Sequence, residues 1–121
     1  MAQFLLMCIQ PGAGAGEQAA SGAVEPVLLE LHQSLREAGI LLDVQRLRPT
    51  ESAASVRVRD GQTEVTDGPF AMTKEYLAGY YLVECADQDE AVEIAARLSS
   101  VPPPGTIEVR PVIPPAEWAE R

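Results

Sequence analysis

Carboxylates, an ammonium and phenols crowd into one short stretch of this chain, TDGPFAMTKEYLAGYYLVEC at residues 66–85. Asp67 or Glu84 could act as a general acid or base if a cleft desolvated it, because burial raises a carboxyl pKa toward neutrality. A neighbouring Arg57, Arg59 or Arg110 would do the opposite, and an ion pair is the favoured reading for Glu84, since a lone buried charge is costly. Lys74 could hold an anion, and Tyr80 could donate or accept a hydrogen bond. The turn itself, Asp67-Gly68-Pro69-Phe70, also has structural reasons. Asp67 can accept from backbone N–H groups two residues on, Gly68 permits positive φ, Pro69 fixes φ, and Phe70 can anchor the loop in apolar surroundings. Ligand-binding candidates are therefore Asp67, Gly68, Pro69, Phe70, Lys74, Tyr80 and Glu84, with Asp67 and Glu84 the catalytic candidates.

Other chemistry is thinly supplied. Cys8 and Cys85 belong to no CxxC or Cys/His grouping, so they read as buried free thiols, with a disulfide open only if their strands adjoin. No metal-ligand set can be assembled and no metal is expected. Gly12, Gly14 and Gly16 resemble a dinucleotide fingerprint but lead into Glu17 rather than a third glycine and an opening βαβ unit, so no cofactor is expected. His32, the only histidine, stands beside the apolar stripe of a helix and reads as a boundary or surface residue.

The elements that must position these residues follow from periodicity. QFLLMCI at 3–9 is apolar on both alternating faces, the mark of a strand covered on both sides. A Gly/Ala-rich segment reads as loop and precedes a helix that begins near Pro26, carries Val24, Val27, Leu28, Leu31, Leu35 and Ala38 on one face, and stops at Gly39. Residues 40–48 read as a strand, and SVRVRDGQTEV as a β-hairpin turning at Asp60-Gly61. TKEYL could form a helical turn before a strand from Gly79 to Cys85. Along that strand, Tyr81, Val83 and Cys85 are assigned to the helices and Tyr80 and Glu84 to the opposite face. A second helix spans about 87–99, with Ala91, Ile94, Ala95 and Leu98 buried and Asp87 or Asp89 at its start; PPPG ends it, and TIEVRPV is the last strand.

This order is that of an α+β, ferredoxin-like antiparallel sheet with two helices on one face. The helix-free face is expected to pack on a second copy of the chain, giving a homodimer. With 121 residues there is one domain, 1–113, and a C-terminal tail, 114–121. Eighteen acidic residues against nine basic ones give a net charge of −9, which repels nucleic-acid phosphates and anionic lipid alike. FLLMCI is too short to span a membrane and has no basic leader before it, so a cytoplasmic protein is expected.

From Val56 to Pro111 the sequence, with VRVRDGQTEVTDGPFAMTKEYLAGYYLVECADQDEAVEIAARL and EVRPV, resembles the YCII-related or DGPF-domain proteins, named for the turn found here at 67–70. The first 55 residues match only in pattern. The resemblance implies a dimeric α/β barrel, in which two ferredoxin-like sheets face each other around a cleft, and a sigma-factor-linked regulatory context; it implies no established activity. Met72 stands where family members usually carry Glu, Val44 and Arg46 lie where they have glycines, and His32 does not match the family histidine, whose place is near Leu28. Two functions stand open: a small-molecule-binding or accessory protein with a ligand cleft at the dimer sheet interface, or an acid–base enzyme of isomerase or lyase type acting on a small polar metabolite. The missing histidine favours the first.

Overall fold

A computed structural model of the chain describes residues 1–11, 24–69, 75–100 and 105–119. The Gly/Ala segment, Phe70, Met72, Lys74 and the prolines at 102–104 lie outside the described residues.

The apolar opening residues form β1 (Ala2–Pro11), a central strand paired along both edges. Only its Phe4/Leu6 face is buried, whereas Leu5, Met7 and Ile9, expected to be covered as well, are half-exposed. Pro26 starts α1 (Pro26–Glu37), where its missing N–H is no loss. Gly39, at φ 77°, ends it: the Gly39 N–H donates to the Arg36 carbonyl and the Ile40 N–H to that of Leu35, a paired closure that needs a left-handed residue at the helix exit. Then come β2 (Leu41–Arg46), the hairpin strands β3 (Ala54–Arg59) and β4 (Gln62–Asp67), and the long β5 (Glu75–Cys85). Asp60 and Gly61, at φ 50° and 77°, make the expected two-residue turn. In α2 (Gln88–Ser99) the Asp87 carboxylate accepts from the Glu90 N–H at 2.9 Å, while the Glu90 carboxylate accepts from the Ala86 N–H at 2.7 Å. These reciprocal bonds satisfy donors that a helix start leaves open. The chain closes the sheet with β6 (Thr106–Pro111).

Four strands form one antiparallel sheet in the order β2-β5-β1-β6, and β3-β4 pair as a separate two-stranded sheet. Non-sequential neighbours in that order, with a helix in each crossover, are the ferredoxin-like α+β arrangement. The core is built on one side only: Phe4, Leu6, Tyr81, Val83 and Cys85 from the sheet pack with Leu35 of α1 and Ala91, Ile94, Ala95 and Leu98 of α2. Val27 is exposed, so the buried stripe of α1 is turned from the one expected and runs through Leu28, Leu31, His32 and Leu35. No described helix is long and apolar enough to cross a membrane.

One element differs from expectation. Glu75, Tyr76 and Leu77 belong to β5 rather than to a helical turn, because β1 runs on to Pro11 and offers Ile9, Gln10 and Pro11 as pairing partners. Cross-strand pairing overrides the weak local helical tendency of Glu75-Tyr76-Leu77, while Thr73 and Lys74 of the same stretch lie outside the described residues.

Candidate functional site

Antiparallel register sorts the side chains of the sheet into two faces, since residues directly opposite each other point the same way. On the face without helices, Arg110, Leu5, Leu82 and Asp43 form one row, and Glu108, Met7, Tyr80 and Gln45 the next. Thr106, Ile9 and Leu77 extend it on one side, and Gln3 opposite Glu84 on the other. The result is a half-buried apolar stripe of Leu5, Met7, Ile9 and Leu82 running between polar margins on the two edge strands.

The polar margin on β2 is organised. The Tyr80 hydroxyl donates to Asp43 Oδ2 at 3.1 Å, and Gln45 Nε2 donates to Asp43 Oδ1 at 3.3 Å. Both carboxylate oxygens of Asp43 are thus engaged, and the Tyr80 oxygen, having donated its proton, keeps its capacity to accept. The hydrogen bond to Asp43 raises the Tyr80 pKa above its usual value, with desolvation adding to it, so Tyr80 remains a phenol at neutral pH and is no proton acceptor of consequence.

Of the residues read from sequence, Tyr80 and Glu84 do lie together on this face. Four positions along one strand separate them by roughly 13 Å, so they bracket the stripe rather than converge. Glu84 does not pair with Arg110, as its ion-pair reading allowed: Arg110 Nε lies 3.9 Å from Glu108 Oε2, a loose surface contact of small worth. The register explains this, because Arg110 faces Leu5 while Glu84 faces Gln3.

Asp67, Gly68 and Pro69 ride on the hairpin, not on the main sheet. Gly68 has φ 96°, as its residue type implied, and the turn is pinned to the hairpin base by its own backbone. Its N–H donates to the Ala53 carbonyl at 2.6 Å and its carbonyl accepts from Ser55 Oγ at 2.9 Å. The residue two beyond Asp67 is Pro69, which has no N–H to offer, so the capping expected of Asp67 passes to these two bonds. Beside Pro69, a shallow, solvent-open hollow of about 310 Å³ is lined by Ser55, Val56, Arg57, Glu64 and Thr66. Phe70 and Lys74 lie outside the described residues, so only Asp67 and its two neighbours can be placed.

A second polar group sits under the helices. His32 is 7% exposed, not a boundary or surface residue, and its Nε2 lies 2.9 Å from the Tyr81 hydroxyl with the rings edge-to-face at 5.1 Å. Leu28, Leu31, His32 and Leu35 follow the i, i+3, i+4, i+7 spacing of a buried stripe, and Tyr81 supplies the hydrogen bond that lets an imidazole occupy it. Burial lowers the His32 pKa, and the Arg36 and Arg46 charges lower it further. Burial likewise pushes Tyr81 up to about 12 and Cys8 up to about 11, the latter against a counter-pull from Arg46. All three side chains are therefore neutral at pH 7, which suits a structural cluster and leaves Cys8 a poor nucleophile. No disulfide forms. β1 and β5 do adjoin, but their register sets Cys8 opposite Gly79 and Cys85 opposite Ala2, roughly 20 Å apart along the strands and beyond bridging reach. Among the described residues no group of His, Cys, Asp and Glu could hold a metal ion.

The family model of the YCII-related domain matches residues 3–118. The chain belongs to the YCII-related family. It is also 53% identical over 77 residues to an uncharacterised protein of Rhizobium meliloti (strain 1021). That alignment covers 63% of this chain and 62% of the relative, so the chain spans less than two thirds of that protein's length.

In this YCII-related chain, sequence reasoning missed Asp43 and Gln45. Asp43 lies 37 positions from Tyr80, and only the β2–β5 register, shifted between Leu41 and Asp43, brings the two together. The signal that could have pointed to Asp43 is its own type: an Asp inside ILLDVQR is a poor strand residue that has to be held by a partner.

Proposed function

We propose that this YCII-related protein binds a small polar organic molecule in a cleft formed where the helix-free sheet faces of two copies meet. The observation that carries this reading is the Tyr80–Asp43–Gln45 cluster, an ordered set of polar groups at the margin of an uncovered apolar stripe. Ligand sites are mostly apolar with a few fixed polar groups, and this face supplies both kinds. Glu84 and Arg110 at the far margins offer one charge of each sign for orientation. A held phenol recognises a ligand rather than abstracting its proton, which favours binding over acid–base catalysis by Asp67 or Glu84. Two free thiols fit a reducing, cytoplasmic setting.

A thermal-shift screen of polar metabolites tests the reading. A true ligand raises the melting temperature of the wild type, since binding to the native state alone adds about 2.7 kcal/mol at a hundredfold excess over Kd. Tyr80→Phe and Asp43→Asn should abolish that rise while leaving the ligand-free melting temperature nearly unchanged, because the cluster is exposed enough for water to replace it. A ligand that stabilises both variants as well as the wild type would place the site elsewhere.

A further inference from the structure

The Tyr80–Asp43–Gln45 cluster has a hydrogen-bond polarity of its own. A carboxylate only accepts, so each partner of Asp43 has to spend a donor on it. The Tyr80 hydroxyl gives its single proton to Oδ2 at 3.1 Å, and the Gln45 amide gives an N–H to Oδ1 at 3.3 Å. What remains is chiefly acceptor: the Tyr80 oxygen, the Gln45 amide oxygen and the unused lone pairs of Asp43, against one further N–H on Gln45.

Charge points the same way. The two hydrogen-bond partners of Asp43 are neutral, so they leave its negative charge in place, and that charge acts on Tyr80. Arg46, next to Gln45 in sequence, lies by strand alternation on the other side of the sheet, where its charge is felt by His32, Cys8 and Tyr81. Arg110 stands on the opposite edge strand, three strand spacings or roughly 14 Å away, with Glu108 at 3.9 Å from it. Among the described residues, the other charges at paired positions of this face are Glu75, Glu84 and Glu108. Asp43 is half-buried with Leu82 beside it along its row, and Met7 lies beside Tyr80 in the next.

We propose that this margin selects an amine: it takes the protonated primary ammonium group of a ligand whose apolar body lies along Leu82 and Met7. A primary ammonium brings three N–H donors and a positive charge to a phenol oxygen, an amide oxygen and a carboxylate, and its hydrogen bonds to them are charge-assisted. A carboxylate or phosphate group at the same place would set acceptor against acceptor and charge against charge, so it is rejected. Amine selectivity rests on the cleft reading of the preceding section and gives that cleft its ligand class.

Two probes of matched size and opposite polarity, 2-phenylethylammonium and 3-phenylpropanoate, test it by NMR titration of the full chain at millimolar concentration, where fragments of this size bind. The ammonium probe should shift the Gln45 side-chain amide and the Tyr80 ring signals and saturate, and the carboxylate probe should not. Asp43→Asn and Tyr80→Phe should each weaken the ammonium probe at least about tenfold, the worth of one hydrogen bond to a charged group. The first removes the charge and the second keeps it, so a loss in both reads polarity and not charge alone. Asp43→Asn also supplies an amide that can donate to the Tyr80 oxygen and free the hydroxyl proton, so it should narrow or reverse the preference between the probes. Glu93→Gln, which removes one negative charge from the exposed side of α2, should leave the affinity within about twofold, because a distant surface charge is screened. A carboxylate probe that binds these residues more tightly than the ammonium probe overturns amine selectivity and leaves the cleft standing. Equal losses in Asp43→Asn and Glu93→Gln, with none in Tyr80→Phe, mean diffuse attraction to an acidic surface and overturn it too. If neither probe moves the Tyr80 and Gln45 signals, amine selectivity is overturned, and the metabolite screen decides the cleft by itself.

Discussion

His32 is held neutral inside the fold by burial and by the Arg36 and Arg46 charges, and that has a measurable pH signature. Its pKa is lowered on folding, so the unfolded chain binds the proton more readily. Stability linked to His32 is complete above the unfolded value near 6.5 and declines as pH falls from there toward the lower folded value. Chemical denaturation between pH 7.5 and about 5 should show stability falling in the wild type, and falling less steeply in His32→Gln. Parallel slopes would mean that His32 titrates as freely folded as unfolded. At this scale the sequence was legible wherever a residue's role depends on its neighbours in the chain. Gly68 takes the positive φ that its type implied, and Asp87 caps α2. It was illegible where the partner is distant: Tyr81 lies 49 positions from His32 and Asp43 lies 37 from Tyr80, and no local pattern encodes either pair.

Among the elements, the hairpin and its exit turn are the most exposed to a backbone test. Gly68→Val asks a β-branched residue to hold φ 96°, and since a Cβ there meets nothing within 4 Å, the cost is conformational rather than steric contact. A loss of roughly 1–3 kcal/mol is expected, read as a lower denaturation midpoint and as faster amide exchange in β3 and β4. Unchanged stability would show that the turn can be remade without a left-handed residue. The elements themselves were largely readable, because the apolar run of β1, the alternation of Val and Arg in the β3-β4 hairpin and the apolar stripe of α2 are strong signals. Two features escaped. The start of β5 at Glu75 depends on how far β1 extends to pair with it, and the stripe of α1 is centred on His32, whose polarity hides it from a count of apolar residues.

For the molecule as a whole, a sheet covered by helices on one face only leaves Leu5, Met7, Ile9 and Leu82 half-buried on the other. In the proposed cleft that stripe is covered by a second copy of the chain and shared with the ligand. The proposed cleft follows from its being shared by two copies. Leu5 lies in the middle of that face, between Leu82 and Arg110, and contributes nothing to the helix-side core. The decisive measurement is therefore molar mass by light scattering at micromolar concentration, for the wild type and for Leu5→Glu side by side. The account predicts about twice the 13.0 kDa chain mass for the wild type and the single-chain mass for a folded Leu5→Glu. A wild type at 13.0 kDa, or a Leu5→Glu variant that remains a dimer, would contradict it.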